Sequence, residues 1–165
     1  MIIDSHCHLT YEPMSNALNE TIDRANKDGI KYMLTISTED KSFEQILKIV
    51  NGYKSVYGTY GIHPHEAKSH QHIKSIDIIN KVNQNKKIIG VGETGLDFYY
   101  NHSEKKDQIN SFEEHISAAQ KKNLPLIIHT RSAEKETLQI LEKHSKKKET
   151  KILIHCFTGT REFAF

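Results

Sequence analysis

The chain has 165 residues, and 23 Lys+Arg against 21 Asp+Glu leave a formal charge of +2. That length permits one domain with a real core, and the charge balance argues against a protein that coats nucleic acid, although a local phosphate site remains open. Two cysteines exclude a disulfide scaffold. No apolar run nears the roughly 20 residues that span a bilayer, and MIIDSHCHL lacks the basic start and apolar stretch of a signal peptide. A cytoplasmic protein without a membrane association is expected.

The elements follow in chain order. Residues 1–8 read as a strand on Ile2 and Ile3, and a polar turn follows at 10–13. Residues 15–28 carry Leu18, Ile22 and Ala25 at helical spacing, with Ser15 as a possible N-cap and Gly29 just past the end. Strands are expected at 30–37, 55–61, 87–93, 125–129 and 150–156. Helices are expected at 40–51, 73–85, 103–123 and 132–146, and a last one starts near Thr160. Strand starts lie about 25 to 37 residues apart, the length of a βα unit. KIIGVG and PLIIH are continuously apolar, as parallel strands covered on both faces should be. The lysines at 146–148 read as a solvated helix end. No linker divides this parallel α/β pattern, so residues 1–165 are expected to form one domain.

The chain holds 11 histidines, and their placement matters. Active sites of parallel α/β domains lie at the C-terminal ends of the strands. The first strand ends in His6 and His8, the third just before His63 and His65, the fourth at Glu93, the fifth at His129 and the sixth at His155. Alternation puts Asp4, His6 and His8 on one side of their strand, so two imidazoles can reach one cation with Asp4 behind them. The plain alternative is a surface pair. Glu93 could bridge two cations, lie exposed in a turn, or pair with Arg131. Asp97 could join the same rim or cap a turn. His129 and His155 each follow apolar runs and read as a second ligand pair or as satisfied core histidines. Arg131 could hold a substrate phosphate through its planar fork or pair with a carboxylate.

His63 and His65 could contact substrate or move protons. Loop capping or solvent contact is the alternative. His70, His72, His102, His115 and His144 read as surface residues. Cys7 and Cys156 read as buried, reduced thiols. No serine or cysteine nucleophile motif, phosphate-binding loop or dinucleotide fingerprint is present. Histidines and a carboxylate at a barrel mouth point to hydrolysis assisted by divalent cations.

Five blocks now stand together: DSHCHL at 4–9, GIHPHEA at 61–67, GETGLDFYY at 92–100, IHTR at 128–131 and HCFTG at 155–159. In order and spacing they resemble the TatD-type metal-dependent deoxyribonucleases, which are amidohydrolase-like TIM barrels. The resemblance implies one metal on His6 and His8, a bridging and catalytic Glu93, and a second metal on His129 and His155. It implies two divalent cations, zinc, magnesium or manganese being indistinguishable, and hydrolysis of DNA phosphodiester bonds. His63 and Arg131 remain candidates for substrate binding.

The family pattern also has a late aspartate in an E-T-D-S-P-like block, which binds metal and handles the attacking water. The sequence stops at Phe165, before that block and before strands seven and eight. A closed eight-stranded barrel needs roughly 250 residues. The expectation is therefore an incomplete (β/α)8 barrel with about six of eight units, the N-terminal two-thirds of such a protein. Three functions compete: an active nuclease, an impaired remnant that keeps its ligands, and a binding module without turnover. A complementary C-terminal fragment is a conceivable partner, and no other stable protein partner is expected.

Overall fold

The computed structural model describes residues 1–146 and 148–164. Six parallel strands form one sheet in sequence order: β1 (Ile2–Cys7), β2 (Ile30–Thr35), β3 (Val56–Tyr60), β4 (Ile88–Asp97), β5 (Leu126–Arg131) and β6 (Ile152–Ile154). The intervening helices are α1 (Leu18–Lys27), α2 (Phe43–Gly52), α3 (Ser75–Val82), α4 (Lys105–Lys122) and α5 (Glu134–Ser145), and α6 (Arg161–Ala164) follows β6. Each crossover returns the chain beside the strand it left, so the sheet grows by one strand per βα unit and curls. The result is six-eighths of a βα barrel. β1 and β6 are its two edges and do not pair with each other.

The core lies between the sheet and the helices. Ile46 and Val50 of α2, Ile78 and Val82 of α3, and Phe112 and Ile116 of α4 are all buried against Val56, Val91, Leu126 and Ile128. Apolar burial of this kind supplies most of the stabilisation, about 1.5–3 kcal/mol for each large side chain. The concave face is more open. Ile3, Tyr32 and Ile89 keep 55%, 43% and 39% of their surface because no further strand closes the curl.

β4 is the central element. It runs four residues past the expected end at Glu93. Its register against β5 shifts between Val91 and Thr94, then pairs Gly95 with His129 and Asp97 with Arg131. Gly92 and Gly95 have φ of 133° and 135°, a region that glycine enters without a Cβ penalty. A Cβ on Gly95 would overlap the His129 carbonyl.

Bonds outside the ladder tie the strand ends together. The Glu93 N–H donates to Ser37 O at 2.8 Å, His63 N–H to Thr38 O at 2.8 Å and His155 N–H to Ile128 O at 3.2 Å.

Several local expectations shift. α1 begins at Leu18 after a 3-10 turn, and Ser15 does not cap it. Gly29 takes a positive φ of 93°, as the position past a helix end requires. β6 is only three residues long, so Cys156 lies in the turn beyond it, at φ 45°, and is exposed rather than buried. Cys7 is half-buried; its thiol donates to Leu34 O at 3.4 Å, and burial pushes its pKa up to about 12.

His115 is not a surface residue. It is 1% exposed, its Nε2 accepts the Ile62 N–H at 3.0 Å, and its Nδ1 donates to Ser111 O at 2.7 Å. His144 is half-buried and faces Glu113 at 3.4 Å. Lys147, within the lysine run at 146–148, and Phe165, in the last expected helix, lie outside the described residues. Among the described residues, no helix is long and apolar enough to cross a membrane.

Candidate metal centre

Glu93 lies 3% exposed inside a ring of imidazoles. His155 Nε2 is 2.6 Å from its Oε1, His129 Nδ1 is 3.3 Å and His63 Nε2 is 3.8 Å from the same oxygen. His6 Nε2 is 3.3 Å and His8 Nε2 4.0 Å from Oε2. One carboxylate thus faces five histidines from four strand ends. Burial alone would raise its pKa. The hydrogen bonds from His129, His155 and His6 outweigh that and hold it far below the usual carboxylate range.

The histidines respond to burial in different ways. His8 is pushed below its ordinary value by desolvation. His63 is pushed down to about 3 by the same cause, despite the nearby Glu93. Both are held neutral, the form in which imidazole binds a cation. Burial also acts downward on His129, but its pKa ends up raised because it stands between two carboxylates.

The second carboxylate is Asp97, 1% exposed at the end of β4. Its Oδ2 accepts from His129 Nε2 at 3.0 Å and from His65 Nε2 at 2.9 Å. Its Oδ1 accepts the Tyr99 and Tyr100 N–H groups at 3.0 and 3.1 Å. Both sequence readings of Asp97, rim residue and turn cap, are therefore met by different oxygens. Burial would raise its pKa, but these four bonds carry it down to about 2. With Nε2–H given to Asp97, His129 points its other nitrogen at Glu93. Gln108, fully buried on α4, clamps the Asp97 backbone through Oε1 at 2.8 Å and Nε2 at 3.0 Å.

Among the described residues, two groups have ligand atoms close enough to share a cation: His6, His8 and Glu93, and His63, Glu93 and His129. Glu93 belongs to both. The donor set fits divalent transition metals. A further observation supports the fit. His6 Nδ1 and His8 Nδ1 are buried with no hydrogen-bond partner, and His6 Nε2 faces only Glu93 Oε2 at 3.3 Å, although buried polar atoms are normally satisfied. The second group differs from the expected His129–His155 pair, since His63 completes it geometrically. His155 lies beside it, bonded to Glu93 and stacked on His6 at 3.8 Å between centroids. Asp4 does not back an imidazole; its Oδ1 accepts the His6 backbone N–H at 3.1 Å.

A pocket of about 400 Å³ opens over this centre, between Tyr11, Lys41, His65 and Glu66. Arg131 does not line it and does not pair with Glu93. Its guanidinium lies over Tyr99 and Tyr100, at 4.3 and 4.6 Å from the ring centroids. The roles of His65 and Asp97 were the least legible from sequence. Their signal was parity: Asp97 follows Glu93 by four residues in a strand, so both share a face.

An open parallel βα barrel with a histidine and carboxylate cluster at its strand ends is the architecture of barrel proteins that bind metal at the mouth. More narrowly, the chain belongs to the TatD-related DNase family, whose model matches residues 3–165. It is 35% identical over 160 residues to an uncharacterized metal-dependent hydrolase of Buchnera aphidicola, covering 95% of this chain and 59% of that protein. It is 30% identical over 161 residues to the 3'-5' ssDNA/RNA exonuclease TatD of Shigella flexneri, covering 98% and 61%. The crystal structure of the TatD homolog YjjV from Escherichia coli superposes with a TM-score of 0.88 at 25% identity, covering 99% of this chain and 62% of that one. The chain therefore spans about three-fifths of the length of the relatives it matches.

Proposed function

We propose that the chain carries the ligand set of a two-metal hydrolase that cleaves phosphodiester bonds in DNA. The observation that carries this reading is one buried carboxylate, Glu93, common to both candidate cation groups. His6 and His8 would hold one cation with Glu93. His129 and His155 would hold the other with Glu93, and His63 stands close enough to share it. Bound there, two divalent cations supply Lewis acidity toward a phosphoryl oxygen and a water of lowered pKa.

The chain's own residues set up that chemistry. Glu93 offers one oxygen to each side. Burial keeps His8 and His63 neutral and available as ligands. Asp97 accepts the His129 Nε2–H and so fixes which nitrogen faces the centre. The pocket above admits a substrate phosphate from solvent. The family match and the nuclease relative support DNA as the substrate. Two free cysteines suit the reducing cytoplasm, which is the compartment proposed.

The test is hydrolysis of labelled DNA by the chain alone, with Mg²⁺, Mn²⁺ or Zn²⁺ added. Activity that Glu93→Ala abolishes supports the reading. No turnover with any of the three metals, from protein that binds them, refutes it for this chain. Metal analysis tests the ligands separately: His6→Ala with His8→Ala should lose a bound cation more readily than His129→Ala.

A further inference from the structure

The segment that leaves β4 interleaves aromatic rings with cations. Lys105 Nζ lies 4.2 Å from the Phe98 centroid. Arg131, at the end of β5, places its guanidinium 4.3 Å from Tyr99 and 4.6 Å from Tyr100. The two tyrosine rings meet edge to face at 4.8 Å, and His102 lies nearly parallel to Tyr100, at 24° and 5.8 Å. Tyr99 and Tyr100 are 59% and 49% exposed. Packing gives no reason for two large rings to stay this open. Among the described residues, neither Arg131 nor Lys105 has an ion-pair partner, so their N–H groups remain available to an anion.

This cluster is built into the centre. Asp97 fixes the Tyr99 and Tyr100 backbones with one oxygen and holds His65 and His129 with the other. The His65 ring is 5.6 Å from Tyr100 and 4.6 Å from His102. The pocket lining also carries Glu39 and Glu66, and its one lysine, Lys41, is held by Glu39 at 2.9 Å. Arg131 and Lys105, beside that lining, carry no such counter-charge among the described residues.

We propose that Tyr99, Tyr100 and His102, with Arg131 and Lys105, form a subsite for a nucleobase and its flanking phosphate in an unpaired strand. The assignment rests on the hydrolase reading for its direction, since it places the strand beside the proposed metals. Every base has a face that stacks on an aromatic ring, so such a platform tolerates sequence. The guanidinium, already positioned by the rings, presents its planar fork to a phosphate. Bases within a duplex are stacked on each other and cannot reach the platform.

The experiment is fluorescence anisotropy with a labelled oligothymidine of about 12 nucleotides, at low salt in EDTA, so that binding is read without hydrolysis. Tyr99→Ala with Tyr100→Ala should weaken binding about tenfold or more, because stacking is worth about 1–3 kcal/mol per base. Tyr99→Phe with Tyr100→Phe should bind like the wild type, which separates stacking from a folding defect. Arg131→Gln should lower the salt slope by about 0.7, the loss of one phosphate contact. Oligodeoxyuridine and oligouridine of the same length differ only in the sugar, and an equal loss with both extends the subsite to RNA. The subsite is overturned if the alanine pair binds like the wild type, or if the wild type binds single strand no better than duplex. Turnover of bis(p-nitrophenyl) phosphate by the wild type with Mn²⁺ reports on the hydrolase reading alone, since that diester carries no base.

Discussion

His115 offers a sharp test of how α4 supports the loop that carries His63. Its Nε2 accepts the buried Ile62 N–H at 3.0 Å, so the ring must stay neutral at that nitrogen. Complete burial pushes its pKa down to about 4 from an ordinary 6.5. The unfolded chain therefore binds a proton that the folded chain refuses. Stability from this group is complete above about pH 6.5 and is lost as pH falls toward 4. A shift of this size corresponds to about 3 kcal/mol.

The chain holds ten other histidines, so the contribution of this one must be isolated. His115→Gln keeps an oxygen that can accept from Ile62 and removes the titration. Urea unfolding should be followed by far-UV circular dichroism, because the chain has no tryptophan. Between pH 7 and pH 4 the wild type should lose about 3 kcal/mol more than His115→Gln. Parallel pH profiles for the two proteins would refute the reasoning.

Three further outcomes are expected. Asp97→Asn removes the charge and cannot turn an acceptor oxygen both to His65 and His129 and to the Tyr99 and Tyr100 N–H groups, and should weaken metal binding about 10- to 100-fold in equilibrium dialysis; unchanged affinity would show that His129 needs no such anchor. Gly95→Ala forces a Cβ into the His129 carbonyl at a positive φ, and should cost more than about 2 kcal/mol in urea unfolding; a neutral effect would mean the two strand ends are not packed as described. Iodoacetamide at pH 8 should label exposed Cys156 and spare Cys7, whose thiol is held up near 12; mass spectrometry showing equal labelling would contradict that environment.

Much of this architecture was legible because parallel strands announce themselves. Continuous apolar runs such as KIIGVG read as covered strands, and their spacing gave the βα repeat. Strand parity then put His6 and His8 on one face, and the strand ends put Glu93 at the same mouth. The length of β4 was not legible, because Glu93 followed by a turn-like TGLD looked like an ending. The two glycines with positive φ instead let the backbone continue beside β5 as far as Asp97. His115 was missed for a different reason. Its polarity matched the outer face of α4, and only the tertiary position of Ile62 gave it a buried partner. His63 joined the second cation group because its loop is stapled to Thr38, a long-range bond that periodicity cannot reveal. Arg131 was split between phosphate and carboxylate partners, whereas two tyrosines in the turn after β4 claimed it.

The central claim is that Glu93 serves both cation groups, and metal stoichiometry tests it most directly. Equilibrium dialysis against Mn²⁺ with elemental analysis should find two cations on the wild-type chain. Glu93→Ala should lose both together, in protein whose circular dichroism matches the wild type. A variant that keeps either cation at wild-type affinity would contradict a shared carboxylate.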